Sequence, residues 1–350
     1  MKLKSLLFLF AVILTLGACK KSTVAPVTPP VTPPVTPPVI TPYVPDNSFK
    51  IVAYMPSYKD PTTVDVSKYK MITHLFYAFL NISGNDGSLA PFTNTEAARF
   101  TSVMATAKAN NVKFGISISG SSTIFAEMAK TPVNRTNFVK NVVTFANTYN
   151  LAGVDIDWEY PSTTVGIESS HNFTLLMTEL SIELHKVNRF LSAAVTPGVY
   201  AGGVRGGVEV EVFPYVDFFN IMQYDGPGYD TAEPLNHASY KMTVASLDYW
   251  LGTRLLAKEK AVLGMPLYGK DAANASIAYR DIEISGADVN LNVATVNGKT
   301  YGYNGIPLIK QKTQLAKDRC NGIMFWEFAH DSNTPKSLIR AANDQLGRTY

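Results

Sequence analysis

The chain has 350 residues, 46% of them apolar and 17% charged, a composition that can bury a sizeable core in one large domain or two small ones. The formal charge of +3 misleads: residues 1–45 carry Lys2, Lys4, Lys20 and Lys21 and no acid, which leaves 27 bases against 28 acids beyond them. A folded part so close to neutral excludes an electrostatic case for a nucleic-acid partner and suits an uncharged substrate.

In chain order, the N-terminus reads first as a targeting segment. Lys2 and Lys4 precede an apolar run over residues 6–16, too short for a comfortable membrane span. Leu16-Gly17-Ala18-Cys19 follows and resembles a bacterial lipobox. That resemblance implies removal of the leader over residues 1–19 and lipid attachment at Cys19; the alternative is an ordinary secretory peptide with an incidental cysteine. Residues 24–45, VAPVTPPVTPPVTPPVITPYVP, can neither pack a core nor form a helix. They read as a polyproline II spacer within a linker over residues 20–45, able to span some 60–70 Å at roughly 3.1 Å per residue. A ligand for a proline-binding module is the other reading. Cys320, the one cysteine beyond the lipobox, has no partner; no disulfide is expected, and it reads as a small buried hydrophobe.

The folded unit is predicted over residues 46–350. Short apolar runs fall at 50–55, 71–82, 112–117, 153–158, 191–196, 217–224, 261–267 and 322–328. Helical spacing separates them at 96–110, 134–149, 170–189, 240–257 and 306–318, and 338–346 closes the chain. Eight strands alternating with helices predict a parallel sheet with right-handed crossovers, hence an α/β fold as a single (β/α)8 TIM barrel. A doubly wound open sheet is the fallback, but no Gly-x-Gly-x-x-Gly follows the first strand. Chemistry in such barrels sits where strands end. Those ends hold Tyr54, Phe79, Ser117, Asp157, Glu159, Tyr224, Asp225 and Trp326. Acids and aromatics together suit sugar rings, whose apolar faces are edged with hydroxyls.

The most informative stretch is Asp155-Ile156-Asp157-Trp158-Glu159. Side chains alternate on a strand, so the three acids point one way, successive ones about 6.6–7 Å apart, while Val154 and Ile156 point to the helices. Like charges that close share protons and titrate as a set, which can hold Glu159 protonated as a general acid. The alternatives are a divalent-metal cluster or a fortuitously acidic strand end. No histidine or further acid run completes a metal shell, so neither metal nor cofactor is expected.

This stretch resembles the Asp-x-x-Asp-x-Asp-x-Glu motif of glycoside hydrolase family 18, the chitinase and endo-β-N-acetylglucosaminidase family. The resemblance runs over residues 50–347. Residues 51–58 and 73–82 are similar to its first two strands, and Ser117-Ile118-Ser119-Gly120 to its Ser-x-Gly-Gly. Met222-Gln223-Tyr224-Asp225 is similar to its Met-x-Tyr-Asp, and the runs 264–269 and 322–327 to its last two strands. It implies that Glu159 protonates the glycosidic oxygen while the substrate's own N-acetyl carbonyl attacks the anomeric carbon. Asp157 would orient the acetamido group, Tyr224 would hydrogen-bond its carbonyl, and Asp155, partnered by Ser117, would buffer Asp157. Trp326 would floor the sugar ring, with Met222, Asp225, Tyr54 and Phe79 as walls and Ser117 counted among the substrate-binding residues.

Two positions depart from the pattern. The first motif aspartate is Ala152, outside the row of inward acids, so its loss should cost local support more than chemistry. Ser119 replaces a glycine, which could reshape the loop floor and lower activity. Residues 270–321 are too short for the α+β insertion that deepens the cleft of many processive members. No large chitinase insertion domain is therefore expected, and a shallow groove favours internal cleavage. The implied substrate is a β-1,4-linked N-acetylglucosamine chain; the rivals are the chitobiose core of N-glycans and glycan binding with little turnover. Trp158 stands where N-glycan-cleaving members more often carry an acid, and binding-only members typically lack the glutamate this chain keeps. The protein is expected to be a monomer, with Lys20 after the lipobox cysteine pointing to the outer membrane.

Overall fold

The computed structural model describes residues 42–350; the leader, Cys19 and nearly all of the proline-rich segment lie outside the described residues. Seven of the barrel's strands come first in chain order: β1 (Lys50–Pro56), β2 (His74–Asn81), β3 (Lys113–Ser119), β4 (Gly153–Asp157), β5 (Phe190–Val195), β6 (Phe218–Ile221) and β7 (Ala261–Pro266). Four short strands follow, β8 (Tyr268–Asp271), β9 (Ser276–Ala278), β10 (Val293–Val296) and β11 (Lys299–Gly302), and β12 (Gly322–Trp326) completes the set. The barrel closes in the order β1-β12-β7-β6-β5-β4-β3-β2, and all its pairings are parallel.

Period-2 alternation divides the apolar residues into two cores. On β1, Ile51, Ala53 and Met55 join the large core between strands and helices, whereas Val52 and Tyr54 fill the barrel with Phe76, Phe190, Phe218 and Met324. Val154 and Ile156 of β4 are fully buried against the helices, about 1.5–3 kcal/mol of burial each. Their neighbour Asp155 is thereby forced inward.

The helices are α1 (Asn94–Ala109), α2 (Ser122–Lys130), α3 (Pro132–Thr148), α4 (Ser170–Lys186), α5 (Tyr240–Leu247), α6 (Tyr279–Ile284), α7 (Ile306–Arg319) and α8 (Leu338–Leu346). Thr93 and Glu96 cap α1 reciprocally, each side chain accepting from the other's backbone N–H. The predicted helix over 240–257 is α5 continued by a wider helical turn over Asp248–Thr253. Unpredicted α2 starts at Ser121, whose hydroxyl accepts from Ile124 N–H, and ends at Thr131, which caps α3 in turn. Two predicted strands are shorter than their apolar runs. The run at 71–82 opens with the last residue of a 3₁₀ turn over Val66–Met71, and the run at 217–224 leaves the ladder after Ile221.

No large insertion domain interrupts the barrel, yet the connection after β7 is structured. Strands β8 to β11 make an antiparallel sheet in the order β10-β11-β8-β9, with α6 in the middle of the segment. Cys320 is buried, and burial pushes its thiol up to about 12.

Candidate active site

Strand β4 delivers its acids to the inner face. Register pairs Ser117 with Asp155 and Asp155 with Ser192, so three inward polar side chains lie abreast. Asp155 is fully buried and accepts from Ser192 Oγ (2.6 Å), Ser117 Oγ (2.8 Å), Tyr54 Oη (2.9 Å) and Asn220 Nδ2 (3.3 Å). Burial raises its pKa, and these four donors oppose the rise. Beyond the strand, Trp158 turns outward, stacks on Phe125 at 5.1 Å and donates its indole N–H to Ser122 Oγ (3.1 Å). With Trp158 so anchored, Asp157 and Glu159 face inward on either side of it.

They meet in a cavity of about 190 Å³ at the C-terminal ends of the strands. Of the residues predicted from sequence, Asp157, Glu159, Tyr224 and Asp225 line it, and so do Tyr54, Phe79, Met222 and Trp326. Trp326 stacks on Phe79 at 5.7 Å and tilts against Tyr54 at 5.7 Å, a continuous aromatic wall. The peptide bonds Ala78-Phe79, Glu159-Tyr160 and Trp326-Glu327 are cis.

Asp157 is 4% exposed, and its Oδ1 has no hydrogen-bond partner. Burial first, then the charges of Glu159 and Asp155, push its pKa well above the carboxylate range. Glu159 opens to the cavity but is densely surrounded by protein, and that surrounding raises its pKa; the Asp225 charge adds to the rise and Tyr160 opposes it. Burial likewise drives the Tyr224 phenol well above its ordinary value, with Asp157 and Glu159 contributing, so it stays a hydrogen-bond donor. Asp225 behaves oppositely. Burial would raise it, but His237, the Lys270 ammonium (2.8 Å) and the Tyr268 hydroxyl (2.6 Å) hold it well below the carboxylate range. One cavity thus holds carboxyls biased toward protonation beside one fixed as a carboxylate.

One expectation is corrected. Ser117, expected among the substrate-binding residues, does not line the cavity: it is fully buried beneath it, and its hydroxyl donates to Asp155, its expected partner. Asp155 lies behind the cavity lining, where the lining residue Tyr54 donates to its carboxylate. The two departures lie elsewhere. Ser119 ends β3 in register with Asp157 but does not line the cavity, and Ala152 lies at the opposite end of the barrel. Sequence reasoning missed Tyr160, Tyr268, Lys270 and His237. Tyr268 and Lys270 are two apart on β8 and reach one carboxylate oxygen of Asp225, a pairing that alternation on this strand could have suggested.

Residues 50–331 match the family model described as glycosyl hydrolases family 18. A class V chitinase of Arabidopsis thaliana is 28% identical over 85% of this chain and 89% of its own length. A solved chitinase from Bacteroides thetaiotaomicron is 25% identical, covering 87% of this chain and 99% of its own with a TM-score of 0.72. A chitinase-like agglutinin from Robinia pseudoacacia is equally similar, at 25% identity and a TM-score of 0.71 over 85% of this chain and 99% of its own. The chain belongs to glycosyl hydrolase family 18 and is a chitinase-type glycoside hydrolase.

Proposed function

We propose that the protein hydrolyses β-1,4-linked N-acetylglucosamine chains, chitin or chitooligosaccharides, with retention and with the substrate's acetamido group as nucleophile. Asp157 carries this reading: a buried carboxyl with an unpaired oxygen, in one cavity with Glu159 and Tyr224. An unpaired buried acceptor costs about 1–3 kcal/mol, which an acetamido N–H would relieve. Glu159 gives its proton to the glycosidic oxygen as the bond to the anomeric carbon breaks and the acetamido carbonyl oxygen bonds to that carbon. Asp157 holds the amide N–H, and the Tyr224 hydroxyl donates to the carbonyl oxygen, favouring the oxazolinium ion. Water, losing a proton to the Glu159 carboxylate, then opens the ion from the face the leaving group vacated. Trp326 supports the ring from below. Proton NMR of the first-formed product tests the stereochemistry: the β-anomer supports the reading and the α-anomer contradicts it.

Chitin rather than N-glycan is the proposed substrate, and Trp158 before the acid supports it. Incubation with chitin oligosaccharides and with a high-mannose glycoprotein separates the readings, since chitobiose supports the first and free N-glycan the second. Binding without product would support a lectin instead; the placement of Ala152 and Ser119 outside the cavity supports turnover. The small β8–β11 sheet supports an open groove and internal cleavage, measurable as a viscosity drop ahead of reducing-end release. The leader, Cys19 and Lys20 after it support a lipid-tethered protein of the outer membrane, which protease shaving of intact cells would place on one face or the other.

A further inference from the structure

Lys312, on the outer helix α7, is fully buried, and among the described residues its ammonium meets no carboxylate within bonding distance. Taking a cation out of water costs several kcal/mol unless every proton finds an acceptor. Here all three do: Nζ donates to Gln223 Oε1 (3.0 Å), to Asn304 Oδ1 (2.6 Å) and to the Ala238 carbonyl. An ammonium is the one side-chain group that presents three donors from a single atom.

Of the three acceptors, Gln223 lies between two cavity residues, and Ala238 adjoins His237, which accepts from the backbone of the cavity residue Asp225. Gln223 stands between Met222 and Tyr224 in the turn that follows β6; its Oε1 also accepts from Thr243, while its Nε2 is unpaired. Ala238 follows His237, whose Nδ1 faces Asp225 N–H (3.1 Å) and whose Nε2 faces the Tyr268 carbonyl (3.1 Å). Asn304 follows the β8–β11 sheet and donates back to Asn236 Oδ1 (3.0 Å) and the Ala238 carbonyl (3.1 Å). Neither Lys312 nor Gln223 lines the cavity. The last bond of this turn to β5 is Met222 N–H to the Val195 carbonyl (2.9 Å), and past it the ladder no longer holds Gln223 and Tyr224.

We propose that Lys312 is a positioning residue for the reaction: by gripping Gln223 from behind, it fixes the turn that aims the Tyr224 hydroxyl at the acetamido carbonyl. The Ala238 carbonyl and Asn304 are the fixed points it is bolted to. This rests on the role given to Tyr224 above.

A double-mutant cycle tests it, with kcat and KM measured on chitotetraose for Lys312→Met, Tyr224→Phe and the pair. Tyr224→Phe should lower kcat about 100-fold and Lys312→Met about 10-fold, the latter with KM within about twofold. In the Tyr224→Phe background Lys312→Met should cost less than about twofold, because its effect passes through the missing hydroxyl. Lys312→Arg should not restore kcat, since a planar guanidinium does not reproduce the three directions. Unchanged kcat in Lys312→Met, or a tenfold loss that persists without the hydroxyl, overturns the proposal. Normal turnover in Tyr224→Phe overturns the acetamido role itself, a distinct failure. Should Lys312→Met not fold, Gln223→Leu probes the same link and must show the same non-additivity.

Discussion

The two ends of the barrel are built from similar side chains and left in opposite states. At the C-terminal mouth, Asp157 keeps an unpaired oxygen and Glu159 is biased toward its acid form. At the N-terminal floor a second cavity of about 230 Å³ is lined by Lys50, Lys113, His74, Asp46, Asp217 and Ala152, among others. There the charges are satisfied. Lys50 donates to the Asp46 (2.8 Å) and Ser48 (3.2 Å) carbonyls, Lys113 pairs with the Asp46 carboxylate, and Asp217 accepts from Leu191 N–H (2.8 Å) and faces His185 (3.0 Å). Tyr43 lies flat on His185 at 3.9 Å. Polar residues in a cavity do not by themselves make a site. What separates the ends is whether the protein leaves bonding capacity for something else to fill, and the floor leaves little.

That contrast can be broken from the mouth first. Glu159→Gln should reduce kcat by about 10³-fold or more while oligosaccharide binding persists, as followed by product release and by calorimetry. Undiminished turnover would end the acid assignment. Asp157→Ala should cost about 100-fold or more in kcat, because the amide N–H loses its acceptor; near-normal rates would remove the orienting role.

The pH profile sharpens the same contrast. Glu159 acts protonated, and its raised pKa carries the alkaline limb of kcat/KM above the ordinary carboxylate range. Asp225 adds to that rise, so Asp225→Asn should move the limb toward acid; a limb that stays put would detach Asp225 from the acid. Stability follows with its own sign. The folded-state pKa of Asp157 is raised, so its contribution is fully present below the unfolded carboxylate value and is lost as pH rises through the folded value. Asp157→Asn should therefore melt above the parent at neutral pH, with the gap closing in acid, while catalysis falls.

The floor should answer in the opposite way. Asp46→Ala loses a partly exposed ion pair and should cost up to about 1 kcal/mol in denaturant unfolding, with kcat unchanged. The smallest effect belongs to Ala152→Asp, which returns the motif's first carboxylate to a cavity already neutralised by Asp46. Turnover should stay within about twofold, and a larger change would show that the floor speaks to the mouth.

Much of this was legible in the sequence because strand alternation is a strict rule. Asp155, Asp157 and Glu159 fall on one parity, and Val154 and Ile156 on the other, so burial of the apolar pair dictates where the acids go. Even so, parity says which face a residue takes and not how deep it sits, which is why Ser117 read as a substrate contact. The insertion was hidden by strands of three or four residues, although Asn297-Gly298, both at positive φ, is a strong hairpin signal between β10 and β11. Lys312 and His237 had no local signal. Lys312 meets Gln223 across 89 positions, and only the closed topology brings them together.

The central claim is that the substrate's amide does the nucleophilic work under the grip of Asp157. The direct measurement is the turnover of aryl β-chitobiosides whose reacting sugar carries acetyl, monofluoroacetyl, difluoroacetyl or trifluoroacetyl on nitrogen. Fluorine weakens the carbonyl oxygen as a nucleophile, so kcat should fall steeply along the series. A rate indifferent to fluorination would contradict the account.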